Sequence, residues 1–155
     1  MIPVEILLAE DSETDAEMTI RALQGKNLSN RHRLVRVKDG AEALDFIFRR
    51  GAYSERPAGL PKLLLLDLKM PKVDGIEVLR EVKSAEETKT MPVVMLTSSA
   101  EERDIAASYM LGVNSYIVKP VDFVQYVDEV AKAGSYWVLL NRLPGEAHRA
   151  GHASS

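Results

Sequence analysis

The stretch from Leu63 to Gly75, LLLLDLKMPKVDG, decides the fold of this chain. Four consecutive leucines without polar alternation are typical of a strand buried on both faces of a parallel sheet. The Met-Pro and Asp-Gly pairs that follow indicate a loop. Asp67 is therefore expected at the carboxyl end of a central strand, the edge where open α/β sheets bind ligands. Taken alone, Asp67 is equally well explained as a residue that caps the turn after the strand.

Apolar runs and helical patterns alternate along the rest of the chain. The patterns predict five strands and five helices; the strands are at residues 4–9, 32–37, 63–66, 91–96 and 115–118. Each parallel connection needs a crossover, and crossovers are right-handed. The alternation predicts an α/β protein with a flavodoxin-like, doubly wound parallel sheet in the order 2-1-3-4-5 and helices on both faces.

Local signals set the ends of several elements. Ser12 with Asp15 three residues later resembles a capping box, so the first helix is expected to begin at Glu13. Residues 51–62 should form a loop that is longer than usual. The last helix is expected to run from Val121 to about Leu143. One domain over residues 1–143 and a fraying tail over residues 144–155 follow.

Composition excludes several classes of function. The chain has 155 residues, a formal net charge of -3 and no cysteine, so disulfides and thiolate chemistry are excluded and nucleic acid is not an expected partner. No apolar run approaches the roughly 20 residues that span a bilayer. Six acidic residues precede Arg21, the first basic one, which is the wrong polarity for a secretory leader. A cytoplasmic location is the default expectation.

Polar side chains follow four of the predicted strands. Glu10 and Asp11 follow the first strand, Asp67 the third, Thr97 the fourth and Lys119 the fifth. Each has an ordinary explanation: a helix-entry charge, a turn residue or a surface lysine. All four explanations would have to coincide at one sheet edge, which makes a functional site the favoured interpretation.

The acidic residues predict a metal-dependent phosphoryl-transfer site. Three carboxylates within about 4 Å would repel by roughly 4 kcal/mol per pair at an effective dielectric near 20, which predicts a bound divalent cation. An oxygen-only ligand set favours Mg²⁺ or Mn²⁺ over zinc. A carboxylate can accept a phosphoryl group as a nucleophile, with the metal and Lys119 neutralising charge and Thr97 donating its hydroxyl.

These residues resemble the receiver domain of two-component response regulators, over about residues 4–143. The match rests on Glu10-Asp11, Asp67, Thr97-Ser98 and Lys119-Pro120, with Met70-Pro71 and Asp74-Gly75 after the acceptor. The long loop with Tyr53 and the Trp137 in the last helix are similar to stand-alone regulators paired with phytochrome kinases.

The resemblance implies a role for each matching residue. Asp67 would be the phosphoacceptor, and Glu10, Asp11, Asp67 and the backbone carbonyl of Lys69 would hold Mg²⁺. Thr97 and Lys119 would bind the phosphoryl group, and Tyr116 would rotate between states. The donor would be a phosphohistidine on a sensor kinase. Lys69 and Ser99 would tune the lifetime of the phosphoryl group. The Lys-Pro bond is often cis in the family although X-Pro bonds are rarely cis in general, so the sequence leaves the isomer of Lys119-Pro120 open.

The last helix, the alternative functions and the histidines each give a further prediction. The last helix has more apolar residues than one buried stripe needs, which predicts a homodimer through the fourth helix, fifth strand and last helix, or deeper burial by the tail. The rival functions are a small-molecule phosphatase or phosphotransferase that works through an aspartyl phosphate, and a flavin carrier. His32, His148 and His152 are expected to be solvated rather than ligands.

Overall fold

A computed structural model of the chain describes residues 4–24 and 33–144. The predictions for His32, His148 and His152, for the residues that end the first helix and for the tail beyond Pro144 lie outside the described residues.

Five parallel strands form the central sheet: β1 (Val4–Ala9), β2 (Arg33–Val37), β3 (Leu63–Leu66), β4 (Val93–Thr97) and β5 (Ser115–Val118). Their order is β2-β1-β3-β4-β5 and every neighbouring pair is parallel, which confirms the predicted topology. Strand β4 begins at Val93 instead of the predicted Met91. Pro92 has no N–H to extend the ladder, although its carbonyl still accepts from Leu64 at 3.0 Å.

The leucine run of β3 is buried on both sides, as predicted from its lack of alternation. Leu63 and Leu65 belong to the apolar cluster on one face of the sheet. Leu64 and Leu66 belong to the cluster on the opposite face. All four are at most 1% exposed, so β3 is the centre of a three-layer molecule.

The described residues form five α-helices around the sheet: α1 (Glu13–Gln24), α2 (Gly40–Phe48), α3 (Gly75–Ser84), α4 (Glu102–Met110) and α5 (Phe123–Ser135). Side chains of α1 and α5 pack on one face, and those of α2 and α3 pack on the other. Asp39 and Asp74 cap α2 and α3, since each carboxylate accepts from the backbone N–H three residues on. Among the described helices, none has both the length and the apolar character to cross a membrane.

The end of the chain departs from the single long helix that was predicted. Helix α5 begins only at Phe123, because Asp122 adopts extended backbone and caps the helix by accepting from the N–H groups of Val124 and Gln125. At Tyr136 the hydrogen-bond spacing widens, and residues Tyr136–Leu140 form a π-helical turn that ends before Asn141. The predicted helix to about Leu143 is therefore wrong in extent and in type.

Candidate functional site

Backbone hydrogen bonds continue the parallel pairing of the strands one residue past the strand ends, where the polar residues of the site begin. The N–H of Glu10 donates to the Val37 carbonyl at 3.1 Å, and the N–H of Asp67 donates to the Ala9 carbonyl at 3.0 Å. These bonds place the residues after β1 and β3 side by side. The sequence predicts this meeting because parallel strands end at the same edge.

Three carboxylates meet at this edge. Glu10, Asp11 and Asp67 offer oxygens that all lie within 4.8 Å of one another. Glu10 is 2% exposed and Asp67 is 9% exposed, while Asp11 is open to solvent. Hard oxygen donors with one solvent-facing side suit a partly hydrated Mg²⁺ or Mn²⁺ ion, so the residues fit the cation that the sequence predicts.

Lys119 lies among the carboxylates, but its hydrogen bonds do not go to Asp67. Its Nζ donates to Glu10 Oε1 at 2.7 Å and to Asp15 Oδ2 at 2.8 Å. Asp67 Oδ2 is 3.7 Å away, an ion-pair distance longer than a hydrogen bond. The Lys119 side chain is 9% exposed, so these contacts have little competition from water. Asp15 is a site residue that the sequence analysis assigned only to the capping box.

Burial and ion pairing act in opposite directions on the protonation of this cluster. Burial raises the pKa of Glu10 to about 7, although its hydrogen bond with Lys119 works the other way and the charge of Asp67 adds to the rise. Burial alone would lower the pKa of Lys119, but hydrogen bonds to Asp15 and Glu10 outweigh it and raise that pKa. Lys119 is therefore a permanent cation in the site.

Only half of the predicted capping box is present. The N–H of Asp15 donates to Ser12 Oγ at 3.2 Å, as expected at a helix start. The Asp15 carboxylate is bound to Lys119 instead of returning to the Ser12 backbone, whose N–H donates to Glu10 Oε2 at 3.1 Å. A charged ammonium is a stronger partner for a carboxylate than a neutral amide.

Arg36 is a second residue that the sequence analysis missed. From β2 its guanidinium donates twice to the Glu10 carbonyl, at 2.9 and 2.8 Å, and once to the Glu13 carboxylate at 2.7 Å. The Arg36 side chain is 14% exposed and fixes the backbone just before α1. The alternation of basic and apolar residues in β2 was visible in the sequence. No local sequence signal indicates that the Arg36 side chain reaches Glu10.

Thr97 and Tyr116 are joined through one residue of the loop after β4. The Thr97 hydroxyl accepts from the N–H of Ser99 at 3.3 Å, and the Tyr116 hydroxyl donates to the Ser99 carbonyl at 2.9 Å. Thr97 is 1% exposed, and its carbonyl accepts from the N–H of Lys119 at 2.7 Å. Thr97 therefore lies beside Lys119 at the same sheet edge as the carboxylates.

The described residues contain no cis peptide bond, so the Lys119-Pro120 bond, whose isomer the sequence leaves open, is trans. The Lys69 side chain is exposed in the loop after Asp67. A metal-ligand role for its backbone carbonyl stays a prediction.

The fold and the site together define a class of protein: a doubly wound domain with an aspartate, a cation site and a buried lysine at the carboxyl edge of its sheet. The model of the family described as the response regulator receiver domain matches residues 6–131. The chain belongs to the response regulator receiver family, whose members are switches that signal by phosphorylation.

Several relatives share most of their length with this chain. Response regulator Rcp1 of Synechocystis sp. is 39% identical over 142 residues, which are 92% of this chain and 94% of Rcp1. The structure of the Mn²⁺-bound form of Rcp1 has a TM-score of 0.84 and 38% identity, and covers 92% of this chain and 100% of that one.

Two further structures extend the comparison. The phosphorylated cyanobacterial phytochrome response regulator RcpA matches with a TM-score of 0.84 and 38% identity, over 92% of this chain and 99% of that one. The bacteriophytochrome response regulator RtBRR is 48% identical with a TM-score of 0.74, over 94% of this chain and 86% of that one.

Proposed function

We propose that Asp67 accepts a phosphoryl group from a phosphohistidine of a sensor kinase, and that the chain signals through the contacts it makes in the phosphorylated form. The observation that carries this proposal is the convergence of Glu10, Asp11, Asp67 and Lys119 at one sheet edge. Membership of the receiver family supports it.

The chemistry is a balanced transfer between two nucleophiles. An Asp67 carboxylate oxygen attacks the phosphorus, the bond from phosphorus to the imidazole nitrogen breaks, and the released imidazole takes a proton from solvent. Glu10, Asp11, Asp67 and the carbonyl of Lys69 would hold Mg²⁺, which supplies positive charge for the carboxylates and the phosphoryl oxygens. Lys119 contributes the second positive charge. Later attack by water on phosphorus releases inorganic phosphate and restores Asp67.

The output step uses the Thr97 and Tyr116 contacts. A phosphoryl group brings about -1.5 to -2 charges at pH 7 and new acceptor oxygens to the edge of the sheet. Thr97 would turn its hydroxyl toward one of these oxygens and give up the N–H of Ser99. Since Tyr116 holds the carbonyl of the same residue, the loop before α4 and the Tyr116 ring would move together.

The partner and the extent of the unit are part of this proposal. RcpA and RtBRR are named as phytochrome response regulators, which supports a phytochrome as the sensor kinase of this chain. We place the receiver domain at residues 1–143, with residues 144–155 as a tail, and keep the cytoplasmic location. None of the relatives named above supports the phosphatase or the flavin carrier.

Homodimerisation is the form of output we propose. Among the apolar residues of α5 and the π-helical turn, Tyr126, Val130 and Val138 are buried, while Phe123 and Val124 are exposed. Further exposed apolar side chains lie on α4, at the end of β5 and beyond it, namely Tyr109, Met110, Val118 and Val121. β5 is also an edge strand of the sheet. This surplus of exposed apolar surface supports a partner on the face formed by α4, β5 and α5.

A direct test is phosphorylation by acetyl phosphate. The protein incubated with acetyl phosphate and Mg²⁺ should gain the mass of one phosphoryl group, and neither Asp67→Asn nor a sample with excess chelator should gain it. Absence of the gain in the wild type would refute the proposal. Steady turnover of p-nitrophenyl phosphate would favour the small-molecule phosphatase instead.

A further inference from the structure

The ammonium of Lys119 is shared by more carboxylates than the proposed chemistry uses. Its two hydrogen bonds go to Glu10 and Asp15, and Asp67 stands 3.7 Å from it. Glu10 belongs to the cation cluster, whereas Asp15 does not. The proposed phosphoryl transfer therefore does not require the ion pair between Asp15 and Lys119.

Asp15 is held in place by its own backbone. Its N–H donates to Ser12 Oγ at 3.2 Å, and its carbonyl accepts from the Thr19 hydroxyl at 2.8 Å. Because the Thr19 hydrogen is used in that bond, the Tyr126 hydroxyl must donate to Thr19 Oγ1, at 2.6 Å. Contacts within α1 and from α5 thus fix the position of Asp15. The Asp15 side chain is 32% exposed, and its carboxylate contacts Lys119.

An ammonium has three donors, and this arrangement leaves one for a group on Asp67. A phosphoryl group there would share Lys119 with two carboxylates. The Asp15 charge weakens the pull of the ammonium on phosphoryl oxygens and repels those oxygens directly, since it lies on the same ammonium. The Lys119 side chain is 9% exposed, so water screens this competition mainly from the side of Asp15, whose side chain is 32% exposed.

We propose that Asp15 is a positioning residue that withholds part of the charge of Lys119 from Asp67, and so lowers the affinity of the site for a phosphoryl group and shortens its lifetime. This inference rests on the proposed function, because it requires Asp67 to be the acceptor.

The test uses beryllofluoride, a phosphoryl mimic, with the full chain and Mg²⁺, measured by isothermal titration calorimetry. Asp15→Asn keeps an oxygen acceptor for Lys119 but removes the charge, so it should bind beryllofluoride about five-fold more tightly than wild type, since neutral hydrogen bonds are roughly half as strong as charged ones. Its phosphoryl group from acetyl phosphate should also outlast that of the wild type.

Two control variants separate this role from general charge effects. Glu13→Gln removes a charge from the same turn of α1, but Glu13 is bound to Arg36 and not to Lys119. Its affinity for beryllofluoride should stay within about two-fold of wild type. Asp15→Glu keeps the charge, so its affinity for beryllofluoride should also stay close to that of the wild type. In a Lys119→Gln background, Asp15→Asn should raise this affinity no more than Glu13→Gln does.

The outcomes distinguish this inference from the proposed function. If the wild type binds no beryllofluoride, both are overturned. If the wild type binds it and Asp15→Asn binds equally or more weakly, only the role of Asp15 is overturned. An equal gain in Asp15→Asn and Glu13→Gln also overturns it, because a nonspecific charge effect would then suffice.

Discussion

Burial brings the protonation of Glu10 into the range of neutral pH. Glu10 is buried between Lys119 and the N–H of Ser12, and burial raises its pKa to about 7 from 4.5. A carboxyl group with a raised pKa keeps its proton up to that pH in the folded protein. A divalent cation that binds Glu10 must displace this proton, so metal affinity should fall as the pH falls through about 7.

Titration with Mn²⁺ between pH 5.5 and 8.5 checks this expectation. The wild type should lose up to about ten-fold in affinity per pH unit on the acid side of the Glu10 pKa, since one proton competes with one ion. Glu10→Gln should bind more weakly but with a flatter pH profile. Glu13→Gln is the matched control and should keep the wild-type slope. An unchanged slope in Glu10→Gln would show that another group carries the pH dependence.

At the scale of elements, two glycines pack the loop after Asp67 against its neighbours. A Cβ on Gly75, the first residue of α3, would lie 2.2 Å from the Asp67 carbonyl oxygen. A Cβ on Gly40, the first residue of α2, would lie 1.8 Å from the Val73 carbonyl oxygen. Both glycines are therefore needed for close approach of backbone, and the position of Asp67 depends on them.

Gly75→Ala should cost about 3 kcal/mol in the free energy of unfolding and should also weaken Mn²⁺ binding, because the methyl group pushes on the peptide of Asp67. Urea denaturation and calorimetry measure the two effects. Gly59→Ala is the control: its φ of 114° opposes a side chain, but no atom lies within 4 Å of its added Cβ. That variant should lose stability and keep Mn²⁺ affinity. Normal metal binding in Gly75→Ala would contradict the packing argument.

The same scale shows what the sequence could predict and what it could not. The strand order, the burial of the Leu63 to Leu66 run and the start of α1 follow from local patterns, and the structure confirms them. The π-helical turn at Tyr136 could not be predicted, because apolar periodicity does not separate an i→i+4 from an i→i+5 spacing over one turn.

Within the site, contacts between side chains far apart in the sequence could not be predicted. The sequence brings Glu10, Asp11 and Asp67 together because each follows a parallel strand. The contact of Lys119 with Asp15 joins residues 104 positions apart through side chains alone. The sequence pattern does not indicate such a contact, so a local capping motif was the available explanation for Asp15.

For the whole molecule, the exposed apolar side chains predict self-association. Val121→Glu combined with Val124→Glu should weaken the dimer by at least about ten-fold, since both side chains are well exposed and charge is disfavoured in the core of an interface. Ala58→Glu, in the exposed loop before β3, is the control and should leave association unchanged. Sedimentation velocity at micromolar concentrations measures both. A wild type that sediments as a monomer with and without phosphorylation would refute the dimer.

The central claim is that carboxylates from separate strands make one aspartate phosphorylatable. Reduction of the acetyl phosphate-treated protein with borohydride converts an aspartyl phosphate to homoserine, and peptide mass mapping then locates it. We predict homoserine at residue 67 alone, in a reaction that needs Mg²⁺. Homoserine at Asp11 or at another aspartate, with residue 67 unmodified, would contradict the account.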